Sequence, residues 1–514
     1  MRVSLVNPPV LGVSEPSYDL PQFPRTALAY LAGYLRAHGD YTLHLLDAKL
    51  ERKGFEQTVQ ELVTFKPEVV GFTAFTNEIK PAAYVAHKLK QQLPNTLIIV
   101  GGAHVSAIPE ATLDEFPMFD AIAVGEGEIT LHEFCQAVRT GNDWKAVNGL
   151  VYRTGGTTLR TAPRVNVPDL DLLPPPAWDL LPAGTIYYTQ TQRGCPYNCN
   201  FCQNPGGKAL RAHSIERVMG EIRYLIREKG MTYLSFGDEI FTKDMPRTKA
   251  LIRQLIAENV GDRVKWDFQT HAKYLDAEMM ELLMEAKVYQ VDIGFESADE
   301  AALRNMGKGT NMEVLERTHQ MARKYKLPVG SLFIMGHPNE TVASIRKTIR
   351  FAIRLNPQLP MFGVMAPYPG TEISRMAAQG EGGYYDLSAD WDTYQKQTGR
   401  AVKFRNIPIW KLEFLRFYAY LAVFVFNFRI KDLARFVWQY LPYGWAVLRK
   451  YASALLGRDA STLKPADYDQ LFEHSRKIFP ITLIESRKTY ADLQKWQLGE
   501  FKRMAATAQP EKAT

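Results

Sequence analysis

The stretch Arg193-Gly-Cys-Pro-Tyr-Asn-Cys-Asn-Phe-Cys202 determines how the rest of the chain is interpreted. It places Cys195, Cys199 and Cys202 in a C-x3-C-x2-C spacing, in a chain of 514 residues with only four cysteines. Thiolates are soft ligands that suit iron–sulfur clusters and zinc. Three are one fewer than a closed zinc site or a fully ligated cubane needs. The spacing predicts a 4Fe–4S cluster with one open iron; a zinc site with a remote fourth ligand is the alternative.

The same motif, with Phe201 directly before its third cysteine, resembles the signature of radical S-adenosylmethionine (SAM) enzymes. The resemblance implies that Cys195, Cys199 and Cys202 are the metal ligands and generate the radical, while the open iron chelates the amino and carboxylate groups of SAM. Phe201 is expected to contribute to the SAM site. The fourth cysteine, Cys135, falls in a helical pattern and is interpreted as a buried thiol.

Composition excludes several classes of protein. A hydrophobic share of 46% and a charged share of 23% describe a globular chain, and its length favours two to four domains. Few cysteines, grouped in one motif, argue against a disulfide scaffold and favour the cytoplasm. The N-terminus reads as a first strand and not as a signal peptide. A formal net charge of +7 is mild for this length, so we expect no nucleic-acid partner.

Short apolar runs alternate with helical patterns throughout residues 1–145, as in Val3–Val6 followed by Ala27–Ala37. This alternation predicts an α/β fold with a parallel sheet covered on both faces. Ligands of such sheets bind at the carboxyl ends of the strands, where glycines allow close approach of the backbone. The candidate binding residues at those ends are Thr73, Gly101, Gly102, His104, Gly125, Glu126 and Gly127.

Together with the cysteine motif, Asn7-Pro-Pro9, Asp47 and these strand ends resemble the cobalamin-binding branch of the radical SAM family, over roughly residues 1–400. The resemblance implies a Rossmann-like cobalamin-binding domain at 1–145, with the strand-end residues at the cofactor. Many such domains supply a histidine to cobalt, but Lys49 stands at that position. A charged ammonium has no lone pair, so we expect cobalt without a histidine ligand. A domain that has lost cobalamin, and a capping role for His104, remain open.

Residues 146–185 are predicted to form a hairpin and a Pro-rich linker. Thr154-Gly-Gly156 is a hairpin turn signal between two strand patterns. Pro163, Pro168 and Pro174-Pro-Pro176 then favour a stiff, extended connector. Such a segment suits a spacer between two cofactors.

Residues 186–400 again alternate between strand and helix, in about six units after the cysteine loop. The family resemblance implies a partial, TIM-like (β/α)6 radical SAM barrel with its chemistry at the carboxyl ends of the strands. It also implies SAM contacts at three strand ends. They are Asp238 and Glu239 for the amino group, with Asp238 preferred, then Glu296 with Ser297, and Ile334 near adenine. His271 stands where many relatives have an arginine, and its role is left open.

Residues 401–514 are predicted to form a helical C-terminal extension. Trp410–Phe428 is apolar and aromatic, but shorter than the roughly 20 apolar residues that span a bilayer. Basic and aromatic residues follow it, from Arg429 to Lys450. This pattern suits a segment lying on anionic lipid. The alternative is that these helices cover the open edge of the barrel.

The resemblance implies three cofactors, a 4Fe–4S cluster, SAM and cobalamin, and an enzyme that methylates an unactivated carbon through a 5′-deoxyadenosyl radical and methylcobalamin. We expect a small hydrophobic substrate (lipid, isoprenoid or tetrapyrrole), a flavodoxin or ferredoxin as electron donor, and a cytoplasmic location that can include the surface of the inner membrane. Two alternatives are an oxidative cyclase acting on a porphyrin ester, as in the anaerobic cyclase, and a non-catalytic cobalamin or metal sensor.

Overall fold

The computed structural model describes residues 1–9, 23–396 and 399–438. These residues divide into two compact units, the first extending to Ala183 and the second beginning at Gly184. The predicted features beyond residue 438, including the basic and aromatic residues up to Lys450, lie outside the described residues.

The first unit is built on a seven-stranded sheet with the order β2-β1-β3-β4-β5-β6-β7. Its first five strands are parallel, as the alternation of strand and helix predicts, and the last two are antiparallel. The strands are β1 (Arg2–Asn7), β2 (Thr42–Asp47), β3 (Val69–Thr73), β4 (Leu97–Gly101), β5 (Ala121–Ala123), β6 (Leu150–Thr154) and β7 (Thr157–Arg160).

In the described part of this unit six helices accompany the sheet, and the longer ones turn a buried apolar side towards it. They are α1 (Thr26–His38), α2 (Phe55–Phe65), α3 (Ile79–Gln92), α4 (Ala103–Ala107), α5 (Pro109–Glu115) and α6 (Glu128–Thr140). Cys135 is fully buried in α6, and burial raises the pKa of its thiol well above the usual range. Its interpretation as a buried thiol is confirmed.

The predicted hairpin forms, but as part of the first sheet. Ala121 of β5 pairs with Tyr152 of β6, and the buried Leu150 and Val151 extend the core of the sheet. The Pro-rich segment also packs against this unit, because the N–H of Ala177 donates to the carbonyl of Ala29 in α1 at 2.8 Å. The segment is therefore docked on a helix along part of its length, and does not act there as a free spacer.

The second unit contains a six-stranded, fully parallel sheet with the order β15-β14-β13-β12-β11-β8. This agrees with the six predicted units of a partial barrel. The strands are β8 (Ile186–Thr189), β11 (Tyr233–Phe236), β12 (Lys265–Thr270), β13 (Gln290–Glu296), β14 (Val329–Met335) and β15 (Leu359–Val364). Two short antiparallel ribbons accompany it, β9 (Gln192–Arg193) with β10 (Arg211–Ala212), and β16 (Tyr384–Tyr385) with β17 (Lys403–Phe404).

Side-chain caps start most of the helices that follow these strands. Ser214, Asp244, Asp276, Asn311 and Thr341 each accept a hydrogen bond from a backbone N–H in the first turn. Within the described residues of this unit the helices are α7 (Ile215–Lys229), α8 (Met245–Ala257), α9 (Val260–Arg263), α10 (Ala277–Glu285), α11 (Glu300–Asn305), α12 (Met312–Tyr325), α13 (Val342–Leu355), α14 (Glu372–Gln379) and α15 (Ile409–Phe426), and residues 430–438 are also helical.

The apolar helix α15 packs against the barrel. The hydroxyl of Tyr420 accepts a hydrogen bond from the N–H of Phe362 in β15 at 3.0 Å, and their rings meet edge to face. α15 thus covers the β15 side of the sheet, as one of the two predictions for this segment proposed. Among the described residues, none of the helices combines the length and the hydrophobicity that crossing a bilayer requires.

Candidate active site

The cysteine loop is closed at its base by the β9–β10 ribbon. Gly194 enters the loop with φ +102°, and a Cβ there would lie 2.1 Å from the carbonyl oxygen of Ala209, so only glycine fits. The N–H of Cys195 donates to the carbonyl of Gly207 at 2.9 Å, and that of Cys202 to Cys199 at 3.1 Å. The loop therefore has a fixed backbone.

Two residues of the loop fasten it to the barrel. The ring of Tyr197 stacks on His271 with centroids 4.9 Å apart, and its hydroxyl bonds to that of Tyr274 at 2.7 Å. Asn200 donates to the carbonyls of Asn305 (2.8 Å) and Met306 (2.9 Å) through its side chain and its N–H. These contacts hold the cysteine loop at the carboxyl ends of the barrel strands.

His271, whose role the sequence left open, is buried beneath this loop. Its Nε2 bonds to the carbonyl oxygen of Lys308 at 3.1 Å, and its Nδ1 accepts from the N–H of Lys273. Because the carbonyl can only accept, Nε2 carries the proton. Burial lowers the pKa of His271 to about 4, so the ring is neutral. His271 is thus placed to position the loop through Tyr197.

The three thiols have the donor chemistry that an iron–sulfur cluster requires. Cys195 and Cys199 are half-buried, Cys202 is exposed, and none is in a disulfide. Burial raises the pKa of Cys199 to about 12, so iron must displace its proton on binding. No three His, Cys, Asp or Glu side chains within 1–9, 23–396 and 399–438 meet closely enough to hold one metal ion. In a 4Fe–4S cubane each thiolate binds a different iron atom, so the three sulfur atoms need not lie close enough together to share one metal ion.

Glu296 ends β13 in a strained conformation. Its φ is +62°, in the region that a residue with a side chain rarely adopts, and the register of β13 against β14 shifts at this point. The Nζ of Lys308 donates to Glu296 Oε1 at 2.5 Å and to the carbonyl of Gly294 at 2.7 Å. Both side chains are less than a tenth exposed. The second carboxylate oxygen, Oε2, is buried and has no hydrogen-bond partner.

An unpaired oxygen on a buried carboxylate is costly unless a ligand or water satisfies it. Lys308 has a corresponding unused capacity, because an ammonium has three N–H donors and only two are engaged. Lys308 also acts electrostatically on Cys199, lowering the pKa that burial raises. The pair Glu296–Lys308 thus offers one acceptor and one donor beside the cysteine loop.

The two adjacent carboxylates after β11 have different neighbours. Asp238 is fully buried and accepts from the N–H (2.7 Å) and the hydroxyl (2.6 Å) of Thr191 and from the N–H of Gln192. Burial raises its pKa to about 7. Glu239 accepts from the N–H of Gly194 at 3.2 Å and reaches into the cysteine loop. Asp238 therefore ties β11 to the end of β8, while Glu239 faces the loop.

The remaining predicted SAM residues lie around the same end of the barrel. Ser297 is fully buried, and its hydroxyl accepts from the N–H of Asp299 at 3.1 Å, which is a capping contact at the start of α11. Ile334 is half-buried near the end of β14, and Phe201 is half-buried beside Cys202. Ile334 and Phe201 thus remain accessible to a ligand, whereas Ser297 is enclosed.

The inner face of the barrel carries two carboxyl groups, which we name the inner carboxyl pair, Asp267 and Asp292. Side chains alternate along a strand, and the neighbouring Trp266, Phe268 and Ile293 are buried on the other face. Asp267 accepts from the hydroxyls of Tyr233 and Ser235, and Asp292 accepts from the side-chain amide of Gln290 at 2.7 Å. A Cβ at Gly330 would lie 1.8 Å from Asp292 Oδ1, so glycine is needed there.

Asp292→Asn is expected to stabilise the protein more at pH 8 than at pH 5.5. Burial, and then the charge of Asp267, raise the pKa of Asp292 to about 7. A group whose pKa is raised on folding contributes stability below its unfolded pKa and loses that contribution as the pH rises through 7. The gain at pH 8 is on the order of 2–4 kcal/mol. Denaturant unfolding at both pH values measures it, with the exposed Asp262→Asn as control; equal gains at both pH values would contradict the assignment.

The predicted cobalamin residues lie along one edge of the first sheet. Thr73 pairs with Gly101 at the ends of β3 and β4, and Gly125 follows β5, so their carboxyl ends are neighbours. A Cβ at Gly125 would meet nothing within 4 Å, and at Gly101 only atoms of Ala123 about 3.9–4.0 Å away. No side chain therefore covers the backbone at these two glycines, which leaves room for a flat ring to contact it. Glu126 and Gly127 follow within the same turn, before α6.

His104 lies behind this edge. It is fully buried, its Nδ1 is 3.4 Å from the hydroxyl of Thr76, and burial lowers its pKa to about 4. Gly102 precedes it with φ +110°, where a Cβ would lie 2.6 Å from the carbonyl oxygen of Ala74. These contacts support a local structural role for His104.

Lys49 belongs to a buried polar network at the ends of β1, β2 and β3. Its Nζ donates to Glu78 Oε1 at 3.1 Å, and Arg25 donates to the same oxygen at 2.5 Å. Asp47 accepts from Asn7 and from the N–H of Arg25, both at 2.6 Å. Although burial alone would raise it, the pKa of Glu78 is lowered by the charges of Arg25 and Lys49. Lys49 is thus held by Glu78 in a geometry that supports the expectation of cobalt without a histidine ligand.

Three of these residues were not found from the sequence. Lys308 lies between Gly307 and Gly309, both of which have positive φ. A lysine between two glycines is a sequence signal that could have identified this residue. Arg25 and Glu78 carry no local signal, because their partners are distant in the sequence. The sequence therefore predicted the strand ends that border the site but not the ion pairs within it.

Two family profiles match the chain. The Radical SAM superfamily matches residues 189–352, and the B12 binding domain matches residues 21–134. These ranges fall in the two units described above.

Similar proteins cover most of the chain. An uncharacterized methyltransferase of Pyrococcus horikoshii is 32% identical over 389 residues, covering 73% of this chain and 82% of that protein. The anaerobic magnesium-protoporphyrin IX monomethyl ester cyclase of Cereibacter sphaeroides is 27% identical, covering 68% of this chain and 60% of the cyclase.

The fold is shared with a solved structure of TsrM, a radical SAM methyltransferase from Kitasatospora setae with cobalamin and a [4Fe-4S] cluster bound. The TM-score is 0.66 at 18% identity, over 83% of this chain and 88% of that one. Taken with the cysteine loop and the parallel sheets, these findings show that the chain belongs to the radical SAM superfamily, in the branch that carries a B12-binding domain.

Proposed function

We propose that this enzyme transfers a methyl group from SAM to an unactivated carbon. When bound, the cluster supplies the electron for the cleavage of SAM and cobalamin carries the methyl group. The proposal draws on the similarity to the methyltransferase of Pyrococcus horikoshii and on a B12-binding domain and a three-cysteine loop in one chain.

The observation that carries the proposal is the unsatisfied Oε2 of Glu296 beside Lys308 and Cys199. SAM carries an ammonium, a carboxylate and two ribose hydroxyls. The free N–H of Lys308 suits the carboxylate, and Glu296 Oε2 suits a hydroxyl or the ammonium. A ligand held by both would have its amino-acid end next to Cys199, where the open iron is expected.

For the ammonium of SAM we propose Glu239, which revises the preference for Asp238. Asp238 already accepts three hydrogen bonds from the backbone and hydroxyl of Thr191 and from Gln192, so it is engaged in fixing the strand ends. Glu239 instead accepts from the N–H of Gly194 in the cysteine loop and so faces the expected cluster. Ile334 and Phe201 stay proposed as apolar contacts, and Ser297 as a group that fixes the turn after Glu296.

We further propose that Thr73, Gly101, Gly102, Gly125, Glu126 and Gly127 form the cobalamin-facing edge, with His104 supporting it from behind. Lys49 would lie where other domains place a histidine. Because its ammonium is held in an ion pair by Glu78, which also binds Arg25, Lys49 keeps that side free of a nitrogen ligand.

Lys49→His is expected to place a nitrogen ligand on cobalt. An imidazole has the lone pair that a charged ammonium lacks. Electron paramagnetic resonance of the reduced, cobalamin-loaded variant should show nitrogen hyperfine splitting that the parent protein lacks. Lys49→Gln, which removes the charge without adding a nitrogen lone pair, is the control. Identical spectra for Lys49→His and Lys49→Gln would contradict the placement of Lys49.

The enzyme uses a reductant and a substrate, and we propose chemical classes for both. Each cleavage of SAM consumes one electron, so a low-potential donor of the flavodoxin or ferredoxin type is expected. The exposed aromatic and aliphatic side chains of α15 and the residues after it support a hydrophobic substrate (lipid, isoprenoid or tetrapyrrole). They also support a cytoplasmic enzyme in contact with the inner membrane, and nothing in the charge pattern favours nucleic acid.

Anaerobic reconstitution of the full chain with iron, sulfide and cobalamin, followed by incubation with methyl-labelled SAM and a reductant, tests the proposed function. Labelled methylcobalamin together with 5′-deoxyadenosine is the expected result. Formation of 5′-deoxyadenosine without labelled methylcobalamin would favour a cyclase-type oxidation. Absence of SAM cleavage by a loaded, reduced enzyme would overturn the proposal.

A further inference from the structure

A cleft of about 340 Å³ lies at the amino-terminal ends of β14 and β15, on the side of the barrel away from the cysteine loop. We name it the basic cleft. It is formed where α12 and α13 end, and the residues just before β15 complete it. Its lining includes His319, Arg323, Lys326, Asn356, Gln358 and Arg429.

The basic cleft has a net positive charge. Three cations line it, and no carboxylate is among its described lining residues. Arg429 pairs with Asp432 at 2.8 Å, while Arg323 and Lys326 make no ion pair within the part of the chain that the structure describes. Two helix C-termini each add about −0.5 of a charge, so about one positive charge is left over for an anion.

A buried imidazole in the lining lacks a hydrogen-bond partner. His319 is only 8% exposed, and its Nδ1 is buried with no partner. The ring of His319 is held edge to face against Phe351. A ligand with hydroxyl or phosphate oxygens in the basic cleft could satisfy this atom.

An exposed apolar turn lies next to the basic cleft. We name it the apolar turn, residues 425–430. Val425, Phe426, Phe428 and Ile430 are exposed by 52%, 61%, 88% and 73%. Phe428 also has φ +56°, a conformation that a bulky side chain adopts only at a cost. The strained backbone places the aromatic ring of Phe428 in solvent, so no burial of that ring offsets the cost of the strain.

Arg429 joins the two features. It belongs to the apolar turn and also lines the basic cleft, where it donates to the carbonyls of Pro357 and Gln358. Asn427 fixes the turn from the other side by donating to the carbonyl of Ile353 at 3.0 Å. The apolar side chains therefore stand at a fixed distance from the cations.

We infer that the basic cleft and the apolar turn together bind an anionic phospholipid of a membrane surface. The phosphate of the headgroup occupies the cleft beside Arg323 and Lys326, and Phe428 and Ile430 enter the boundary between headgroups and acyl chains. This inference rests on the proposed contact with a membrane, and adds the residues and the charge of the lipid.

The chemistry of the two features matches the two parts of such a lipid. Aromatic and aliphatic side chains settle at a shallow depth in the interface, and nearby cations strengthen the binding to anionic lipid. Lys431 and Arg435, both exposed, continue the positive charge beyond the turn. A soluble anion would use the cleft but would leave the apolar turn uncovered.

Sedimentation of the reconstituted full-length enzyme with vesicles tests the inference. One set of vesicles is phosphatidylcholine alone, and the other also contains phosphatidylglycerol. The parent protein should prefer the anionic vesicles. Arg323→Gln/Lys326→Gln should weaken that binding by about fivefold for each charge removed. The control Arg227→Gln/Arg253→Gln removes the same charge at exposed sites on α7 and α8, and should bind as the parent does.

Phe428→Ser/Ile430→Ser should weaken binding to both kinds of vesicle, whereas Val165→Ser, at an exposed position in the first unit, should not. Equal binding to neutral and anionic vesicles would overturn the inference and leave membrane contact standing. No binding to either kind of vesicle would overturn both the inference and the proposed contact with a membrane. Thermal stabilisation by inorganic phosphate, lost in Arg323→Gln/Lys326→Gln and not accompanied by vesicle binding, would assign the cleft to a soluble anion instead.

Discussion

Cys199→Ala is expected to remove the iron–sulfur cluster and reduce SAM cleavage to background. Cys199 is one of three thiols on a loop whose backbone is fixed by Cys195, Gly207 and the β9–β10 ribbon. With two thiolates left, the loop cannot hold three corners of a cubane. Iron and sulfide content, the visible absorption band of the cluster and 5′-deoxyadenosine formation after reconstitution measure the effect.

The matched control is Cys135→Ala, which also removes one sulfur. Cys135 is fully buried in α6 of the first unit, so its loss costs some packing but no cluster ligand. The control should therefore reconstitute with the same iron content as the parent protein. If Cys199→Ala keeps both the absorption band and SAM cleavage, the cluster is not held by this loop.

Lys308→Met is expected to destabilise the protein and to weaken SAM binding. Lys308 and Glu296 form a buried pair, and removing one partner leaves the other as an uncompensated charge, which costs about 3–5 kcal/mol. The lost donor to the carboxylate of SAM costs a further 1.5–3 kcal/mol of binding, or about 10–150-fold in affinity. Denaturant unfolding and equilibrium dialysis of SAM against the reconstituted enzyme measure the two effects.

A second variant separates stability from binding. Glu296→Gln/Lys308→Met replaces the pair by two neutral groups and should recover much of the lost stability, because no charge is left buried alone. It should not recover SAM binding. The exposed Lys347→Met, which breaks a pair with Asp299 at the surface, should cost less than about 1 kcal/mol. Full SAM affinity in Lys308→Met would rule out its proposed role.

The sequence predicted the elements whose signals are local. The six parallel strands of the barrel follow from apolar runs, and the cysteine loop follows from its spacing, because each is encoded within a few residues. The first sheet was also predicted, although its hairpin was assigned to a linker. The pairing of β6 with β5 depends on a long-range contact between Ala121 and Tyr152, which a local pattern does not carry.

The ion pairs of the site are non-local or depend on orientation. Lys49 was identified by its position, but its partner Glu78 lies in a later loop. Asp238 and Glu239 are adjacent in sequence, so the two are equivalent as a pattern. Only the turn after β11 points one towards Thr191 and the other towards Gly194. The conformation of the backbone thus decides which of the two carboxylates faces the cysteine loop. A sequence reveals that conformation only when it is compared with a fold.

The stack of Tyr197 on His271 fixes the cysteine loop without any contribution from a metal. The loop that carries the cysteines is fastened by ring stacking, by Asn200 and by a strand ribbon, and none of these contacts involves a cysteine sulfur. The contacts that shape the loop are therefore independent of the cluster. We expect a chain without its cluster to keep the loop in place, so that iron and sulfide can be added to the folded protein.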